Sequence, residues 1–393
     1  MQDQGLSRQA GENPLFDVTF FEVTPTSPGA ATRWSPRHDV VPAGVVTAKQ
    51  ALALGVLHDA EGTEVSLTYD TSRVDAGAVE RLASHLQVLV QDGVLHPDRR
   101  LSQLDLLTAA EHANLAAWND TAAAGPADRC THELFAAQAR RTPTAVALVF
   151  GEQRLTYQEL DERSNQLAHH LRGLGVGPEV LVALCVERSL EMVVGLLGIL
   201  KAGGAYVPLD PSYPRERLAF MLTDARPAVL LTQARLRDSL PPHAVVTVHL
   251  DADAPAWQEP HTPLAVPVRP DHASYVLYTS GSTGRPKGVQ ILHAALTNLL
   301  HAFAEQTKIG PHDVLLAVTS MSFDIAGLEL FMPLIRGASI HLASRDDASD
   351  GEALVRALER ATMMQATPAT WRMVLDAGWT GERPCRRCAA ERP

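Results

Sequence analysis

The sequence predicts an α/β protein made of two unequal units, and three observations carry that prediction. From Ala145 onward, short apolar runs alternate with amphipathic stretches at helical spacing. That is the pattern of βα units in an open, largely parallel sheet with helices on both faces. Ahead of it, residues 13–118 hold two strand-like runs and one long amphipathic stretch, enough for a smaller α/β piece. Between the two, NDTAAAGPAD (Asn119 to Asp128) is small, polar and interrupted by Pro126, the composition of a linker. A chain of 393 residues with 46% hydrophobic content has room for both units and apolar matter for a large core.

In chain order, PLFDVTFFEV (Pro14 to Val23) and EVSLTY (Glu64 to Tyr69) alternate or run apolar as strands do. Val79, Leu82, Leu86 and Leu89 recur at helical spacing and predict a helix from Val74 to Val94. Leu101 to Leu107 reads as a short strand or connector. THELFAAQAR (Thr131 to Arg140) opens the second unit as a helix, followed by a strand at Ala145 to Phe150. Thr156 and Glu159 stand three apart as a capping box, and Leu160, Leu167 and Leu171 mark the buried stripe of the helix they start. Further strands are predicted at Val180–Val186, Ala228–Thr232, Ala244–Leu250, Ser274–Tyr278 and Asp313–Val318. Helices are predicted at Leu190–Ala202, Arg215–Asp224, His293–Gln306, Ile325–Arg336 and Gly351–Arg360. Gly203 and Gly204 end a helix, and Pro208 and Pro211 fix a turn.

Several function classes are excluded by composition. A net charge of −11 without a long basic block argues against nucleic-acid binding. The longest apolar run, Met192 to Leu200, is too short to cross a bilayer, and the polar opening residues lack the apolar core of a secretory signal. Cys130 and Cys185 sit alone, so a reducing, cytoplasmic setting is expected. Cys385 and Cys388 form a CxxC pair with no second pair, which makes a weak zinc signal, and no metal ligand set is assigned.

The stretch that concentrates chemistry is YTSGSTGRPKGV, Tyr278 to Val289. It lies between an apolar strand and an amphipathic helix. Thr279, Ser280, Ser282 and Thr283 supply hydroxyl donors, and Gly281, Gly284 and Gly288 let backbone N–H groups approach an anion. Lys287 adds a point charge. Such a loop suits a polyphosphate. It is not a Walker loop, since Gly288 rather than Ser or Thr follows the lysine. It is not the dinucleotide fingerprint either, because Thr283 occupies the place of the second glycine.

Nearly letter for letter, the loop resembles the phosphate loop of the adenylate-forming superfamily, and in particular the adenylation domain of nonribosomal peptide synthetases. LTYQEL (Leu155 to Leu160) and LKAGGAYVPLDPSYPRERLAFML (Leu200 to Leu222) resemble two further core motifs of that family, and resemblance extends from Thr131 to Trp379. ENPLFDVTFFEV, LTYDTSRVDAGAVERLASHLQVLV and LSQLDLLTAAEHANLAAWNDTAA resemble the closing part of a condensation domain, whose HHxxxDG signature is not in this sequence. His169-His170 carries Leu174 where that signature has aspartate, and it falls on a helix of the other unit. The implied organisation is 1–118, C-terminal part of a condensation domain; 119–130, linker; 131–379, adenylation domain; and 380–393, an aberrant tail.

What the resemblance implies for function is activation of an α-amino acid with ATP to an aminoacyl adenylate, then thioester loading onto phosphopantetheine of a partner carrier domain. ATP phosphates would meet Thr279, Ser280, Gly281, Ser282, Thr283, Gly284 and Lys287, with Mg²⁺ shared through phosphate oxygens and a hydroxyl of Thr279 or Thr283. SFDIA (Ser322 to Ala326) resembles the family's FDxS, with Ala326 in place of serine, and Asp324 would pair with the substrate α-ammonium. Read from the residues alone, Asp324 also suits a helix cap. Carried over by position, Ile325, Leu328 and Thr370 would line a mostly apolar side-chain pocket.

The family's adenine and ribose motifs, hinge and adenylation lysine are expected beyond Trp379. No catalytic residue is therefore assigned. TGERPCRRCAAERP (Thr380 to Pro393) loses apolar periodicity, the composition of an out-of-frame or truncated tail. A non-catalytic fragment that at most binds ATP is the alternative reading.

Overall fold

The computed structural model describes residues 17–23, 50–58, 63–123, 125–126, 128–253, 259–280 and 285–381, together with the backbone of 387–390. These fall into two units, Met1–Ala123 and Ala124–Pro393.

In the first unit, β1 (Val18–Val23) pairs parallel with β2 (Leu52–His58), which pairs antiparallel with β3 (Thr63–Tyr69). Helix α1 (Ala76–Leu95) is capped by Asp75, whose carboxylate accepts from Ala78 N at 3.0 Å. Helix α2 (Ala109–Asn119) begins with a capping box: Glu111 accepts from Thr108 N at 2.8 Å, and Thr108 Oγ1 accepts from Glu111 N at 3.3 Å. Glu111 also bonds His85 of α1 at 2.8 Å, tying the two helices. Of these elements, β2 and α2 were not predicted. Leu101–Gln103 is a 3₁₀ turn, the connector rather than the strand of the two options.

The second unit starts with α3 (Thr131–Arg141) and the hairpin β4 (Val146–Phe150), β5 (Gln153–Thr156). Helix α4 (Tyr157–Gly173) then opens on the predicted capping box, with Thr156 N donating to Glu159 at 2.8 Å and Glu159 N to Thr156 Oγ1 at 3.2 Å. The remaining strands are β6 (Leu181–Cys185), β7 (Ala205–Pro208), β8 (Val229–Thr232), β9 (Val246–His249), β10 (Ala273–Thr279), β11 (Lys287–Leu292), β12 (Val314–Ala317), β13 (Ser339–Leu342), β14 (Met363–Ala366) and β15 (Arg387–Ala390). The helices are α5 (Leu190–Lys201), α6 (Arg215–Ala225), α7 (His293–Thr307), α8 (Ile325–Arg336), α9 (Arg345–Ala348), α10 (Gly351–Leu358) and α11 (Pro368–Asp376).

The α/β class holds, but the strands divide between two six-stranded sheets where the βα alternation alone suggested one. Their orders are β11-β10-β7-β6-β8-β9 and β15-β14-β12-β13-β4-β5. Each sheet is parallel except for one edge strand, β11 or β5, which returns antiparallel as a hairpin. Parallel sheets need both faces covered. Helix α5 meets that need: apolar nearly all round, it packs on β6 and β7 of one sheet and on β4 and β5 of the other. Its last residue, Lys201, is buried, and its ammonium donates to Asp161 Oδ1 at 2.7 Å, Ser164 Oγ at 2.7 Å and Asn165 Oδ1 at 2.8 Å. After α5 the chain turns at Gly203, whose φ of +90° fits the predicted helix end.

Two readings need correcting. Pro208 closes a buried strand, β7, rather than belonging only to a turn, because a proline at a strand's last residue gives up little ladder bonding. The phosphate-loop stretch leads into β11 and not directly into a helix; α7 begins only at His293. In the segment read as a tail, the backbone of Arg387–Ala390 pairs parallel with β14.

Candidate substrate-binding site

Strand β10 runs buried from Ala273 to Tyr278 and emerges at Thr279, which is exposed. Its antiparallel partner β11 begins at Lys287, in register with Thr279, so residues 280–286 form the connection of an edge hairpin. Ser280, Arg285 and Lys287 are exposed. Gly281, Ser282, Thr283 and Gly284 lie outside the described residues. Gly288 is fixed by packing: a Cβ there would stand 3.0 Å from Val276 Cγ1 and 3.4 Å from the Tyr278 ring. The hydroxyl of Tyr278 donates to Asp224 at 2.6 Å, which anchors the strand end against α6. The chemistry available here is hydroxyl and ammonium donors at the carboxyl end of a strand, without a helix dipole behind them.

The second set of candidates lies at the carboxyl edge of the other sheet. Strands β12 and β14 are parallel register neighbours, so the turns that follow them share one edge. After β12, Asp324 starts α8; it is exposed, and its Oδ1 accepts from Ile325 N at 2.8 Å. Asp324 thus meets the first free amide of the helix, although its backbone is already helical and no described bond reaches the second or third amide, and the burial expected of an ammonium partner is absent. Among the described residues no cation pairs with Asp324. Its charge reaches the other sheet: burial first, and then the Asp324 carboxylate, push the Tyr275 phenol of β10 up to about 12. Tyr275 in turn stacks on Tyr206 with ring centroids 5.2 Å apart. After β14, Thr367 caps α11 and its hydroxyl lies 3.1 Å from that of Thr370, which is half-buried. Ile325 is half-buried against the main core and Leu328 is buried in it. The structure therefore places Asp324 at the start of α8 and Thr370 in the first turn of α11, helices that follow neighbouring strands, with Leu328 in the packing beneath.

A buried polar network behind these turns was not anticipated. Arg188, in the turn after β6, donates to three backbone carbonyls of the second sheet: Ala343 O at 2.6 Å, Thr319 O at 2.6 Å and Ala317 O at 2.5 Å. Glu329 of α8 is fully buried and accepts from Val318 N at 2.8 Å, Thr319 N at 3.0 Å and the Thr319 hydroxyl. Burial raises its carboxyl to about 7, against the pull of those bonds and of Arg188. Asp210, just past β7, accepts from Ser320 Oγ at 3.1 Å. The available signal was a single acidic residue inside the otherwise apolar IAGLELFMPLI.

Cys130, His132 and His293 also gather three potential donor atoms within 4.8 Å of one another in the interior. Three is one short of the closed four-ligand set typical of structural zinc, and we read them as core packing.

A sequence profile of AMP-binding enzymes matches residues 135–387, a span that holds both edges just described. The chain belongs to the AMP-binding enzyme family. Within that family it is similar to nonribosomal peptide synthetases. It is 42% identical over 296 residues to a linear gramicidin synthase of Brevibacillus parabrevis, covering 75% of this chain and 4% of that protein. Chondramide synthase cmdD of Chondromyces crocatus is 42% identical over 332 residues, 82% of this chain and 8% of that one. Tyrocidine synthase 3 of Brevibacillus parabrevis is 37% identical over 399 residues, covering 98% of this chain and 6% of its own length. The chain thus spans only 4, 8 and 6% of these relatives.

Among solved structures, this AMP-binding chain is similar to the nonribosomal peptide synthetase FmoA3 with alpha-methyl-L-serine-AMP bound. The TM-score is 0.77 at 31% identity, over 86% of this chain and 39% of that one. A four-domain nonribosomal peptide synthetase bound to AMP and glycine gives a TM-score of 0.74 at 30% identity, covering 88% and 26%. No helix among the described residues is long and apolar enough to cross a membrane.

Proposed function

We propose that this chain carries the nucleotide-phosphate and amino-acid recognition surfaces of a nonribosomal peptide synthetase adenylation unit, working in an assembly line. The observation that carries this reading is the pairing of two edges. An exposed hydroxyl-and-lysine hairpin stands at the end of β10. At the start of α8 stands an aspartate that no described cation pairs, on a turn whose start is bonded to Arg188 and Asp210 of the sheet carrying that hairpin. ATP is the nucleotide. Thr279, Ser280, Gly281, Ser282, Thr283, Gly284 and Lys287 hold its β- and γ-phosphates, offsetting charge on the leaving pyrophosphate as the substrate carboxylate attacks the α-phosphorus. A hydroxyl of Thr279 or Thr283 would help hold Mg²⁺, which would supply further neutralisation of phosphate charge. Asp324 receives the α-ammonium; Ile325, Leu328 and Thr370 border the side chain. Phosphopantetheine on a partner carrier domain takes the acyl group, in the cytoplasm. Residues 1–118 are the C-terminal part of a condensation domain, 119–130 a linker, 131–379 the adenylation region and 380–393 an aberrant tail.

The test is equilibrium binding of aminoacyl sulfamoyl adenosines beside their counterparts lacking the α-amine. The wild-type chain is expected to prefer one amino compound by at least about tenfold, the equivalent of one charge-assisted hydrogen bond. Asp324→Asn is expected to erase that preference while leaving ATP affinity intact. Equal binding of both compounds by the wild type, or a preference that survives Asp324→Asn, overturns the assignment.

A further inference from the structure

We propose that Glu329, with Arg188 opposite it, is a positioning residue for amino-acid recognition: together they fix the backbone from which the Asp324 turn departs. The inference rests on the reading of Asp324 just given and goes beyond it to a residue that cannot reach the substrate, since Glu329 is fully enclosed.

The turn from Val318 to Phe323 has few bonds of its own; its described backbone–backbone contacts are Phe323 N to Ser320 O at 3.0 Å and, into α8, Ala326 N to Phe323 O at 3.1 Å. Its start is held instead by side chains from three other elements. Glu329 takes the Val318 and Thr319 amides and the Thr319 hydroxyl. Arg188 takes the carbonyls of Ala317 and Thr319 and, through Ala343 O, joins them to the end of β13. Asp210 takes Ser320. Arg188 and Asp210 both come from the sheet that carries the phosphate hairpin. The network therefore sets the carboxyl edge of one sheet against that of the other, and so sets Asp324 relative to β10.

Glu329 and Asp324 also share one helix. The carboxylate that grips the end of β12 grips it from the second turn of α8, while Asp324 caps the first. The strand end and the helix start are consequently locked as one piece. A buried carboxylate near a half-buried guanidinium is a weak way to gain stability, because desolvation cancels much of the attraction. Its advantage is direction: charged groups aimed at specific amides and carbonyls tolerate little displacement, and recognition geometry must hold to fractions of an ångström.

The experiment uses the full chain and the same paired ligands, amino and des-amino sulfamoyl adenosines, together with ATP alone and a urea titration. Three variants are compared: Glu329→Gln, Thr319→Val, which removes one of the three bonds and no charge, and Asp324→Asn. Glu329→Gln is expected to lower the amino-to-des-amino preference about tenfold and Thr319→Val about threefold, each with unchanged ATP affinity. Thr319→Val keeps the test decisive if Glu329→Gln does not fold. Unchanged preference in Thr319→Val, or equal loss of amino, des-amino and ATP binding in proportion to lost stability, shows a purely structural role and overturns the proposal. A preference that survives Asp324→Asn defeats the Asp324 reading itself, which separates the two failures.

Discussion

Lowering the pH from 7 to 5 should destabilise the second unit through two histidines that the fold holds neutral. His132 and His293 meet edge to face with ring centroids 5.5 Å apart, and His132 Nδ1 and both nitrogens of His293 are buried without a hydrogen-bond partner. Burial, and then the charge of His293, push the His132 imidazole down to about 3; burial, and then His272, push His293 down to about 4. The unfolded chain therefore binds more protons than the folded one throughout the window below the ordinary value of 6.5. The stability these groups carry is complete above that value and is lost as pH falls. Between pH 7 and 5 each histidine forfeits about 2 kcal/mol, a figure insensitive to how far below pH 5 its folded value lies. Glu329 acts with the opposite sign, since its carboxyl is raised to about 7 and the folded state gains protons from pH 7 downward. It returns about 2 kcal/mol over the same interval, leaving a net loss near 2 kcal/mol from these three groups. The assay is urea unfolding at both pH values, followed by the fluorescence of Trp371 and Trp379. His132→Gln should flatten the loss by about 2 kcal/mol, and Glu329→Gln should steepen it by a similar amount. An identical pH 7-to-5 difference in wild type and His132→Gln would refute the reasoning.

Three other perturbations follow from particular contacts. Lys287→Ala should weaken ATP binding about tenfold, read by calorimetry, and leave the amine preference untouched, because the proposed role of its ammonium is to meet phosphate. Lys201→Ala should cost about 3–5 kcal/mol in urea unfolding, since it strands the partly buried Asp161 carboxylate 2.7 Å from the lost ammonium. Gly203→Ala should cost more than about 1 kcal/mol: its φ is +90°, and a Cβ would stand 2.9 Å from Val266 Cγ1 and 3.2 Å from the Pro178 ring.

What the sequence disclosed and what it hid divide along a physical line. Local chemistry was legible: the Thr156–Glu159 box, the glycine ending α5 and the bounds of α8 depend on neighbours in the chain, and all three stand where spacing put them. The strands missed in the second unit, β5, β7, β11, β13, β14 and β15, are mostly four residues long, too short for periodicity to register. The division into two sheets escaped for the same reason, since β7 and β14 are the strands that seat β10 and β12 among their neighbours. In the first unit α2 was missed although Thr108 and Glu111 spell the same capping signal that located α4.

The candidate site divides similarly. Lys287 was nameable before any coordinates from the composition of its loop, and Asp324 from its resemblance to a family motif. Arg188 and Glu329 were not, because nothing near them in the chain states their purpose. Arg188 acts on carbonyls 129 to 155 positions away, and Glu329 reaches back across a turn to amides 10 and 11 residues earlier. A charge inside an apolar helix face signals only that a buried partner exists, since an unpaired one would be too costly to keep. Who the partner is depends on which strands become neighbours. Here that pairing ties the turn before Asp324 to the sheet bearing the β10–β11 hairpin through Arg188 and Asp210, a geometry that belongs to topology rather than to either motif.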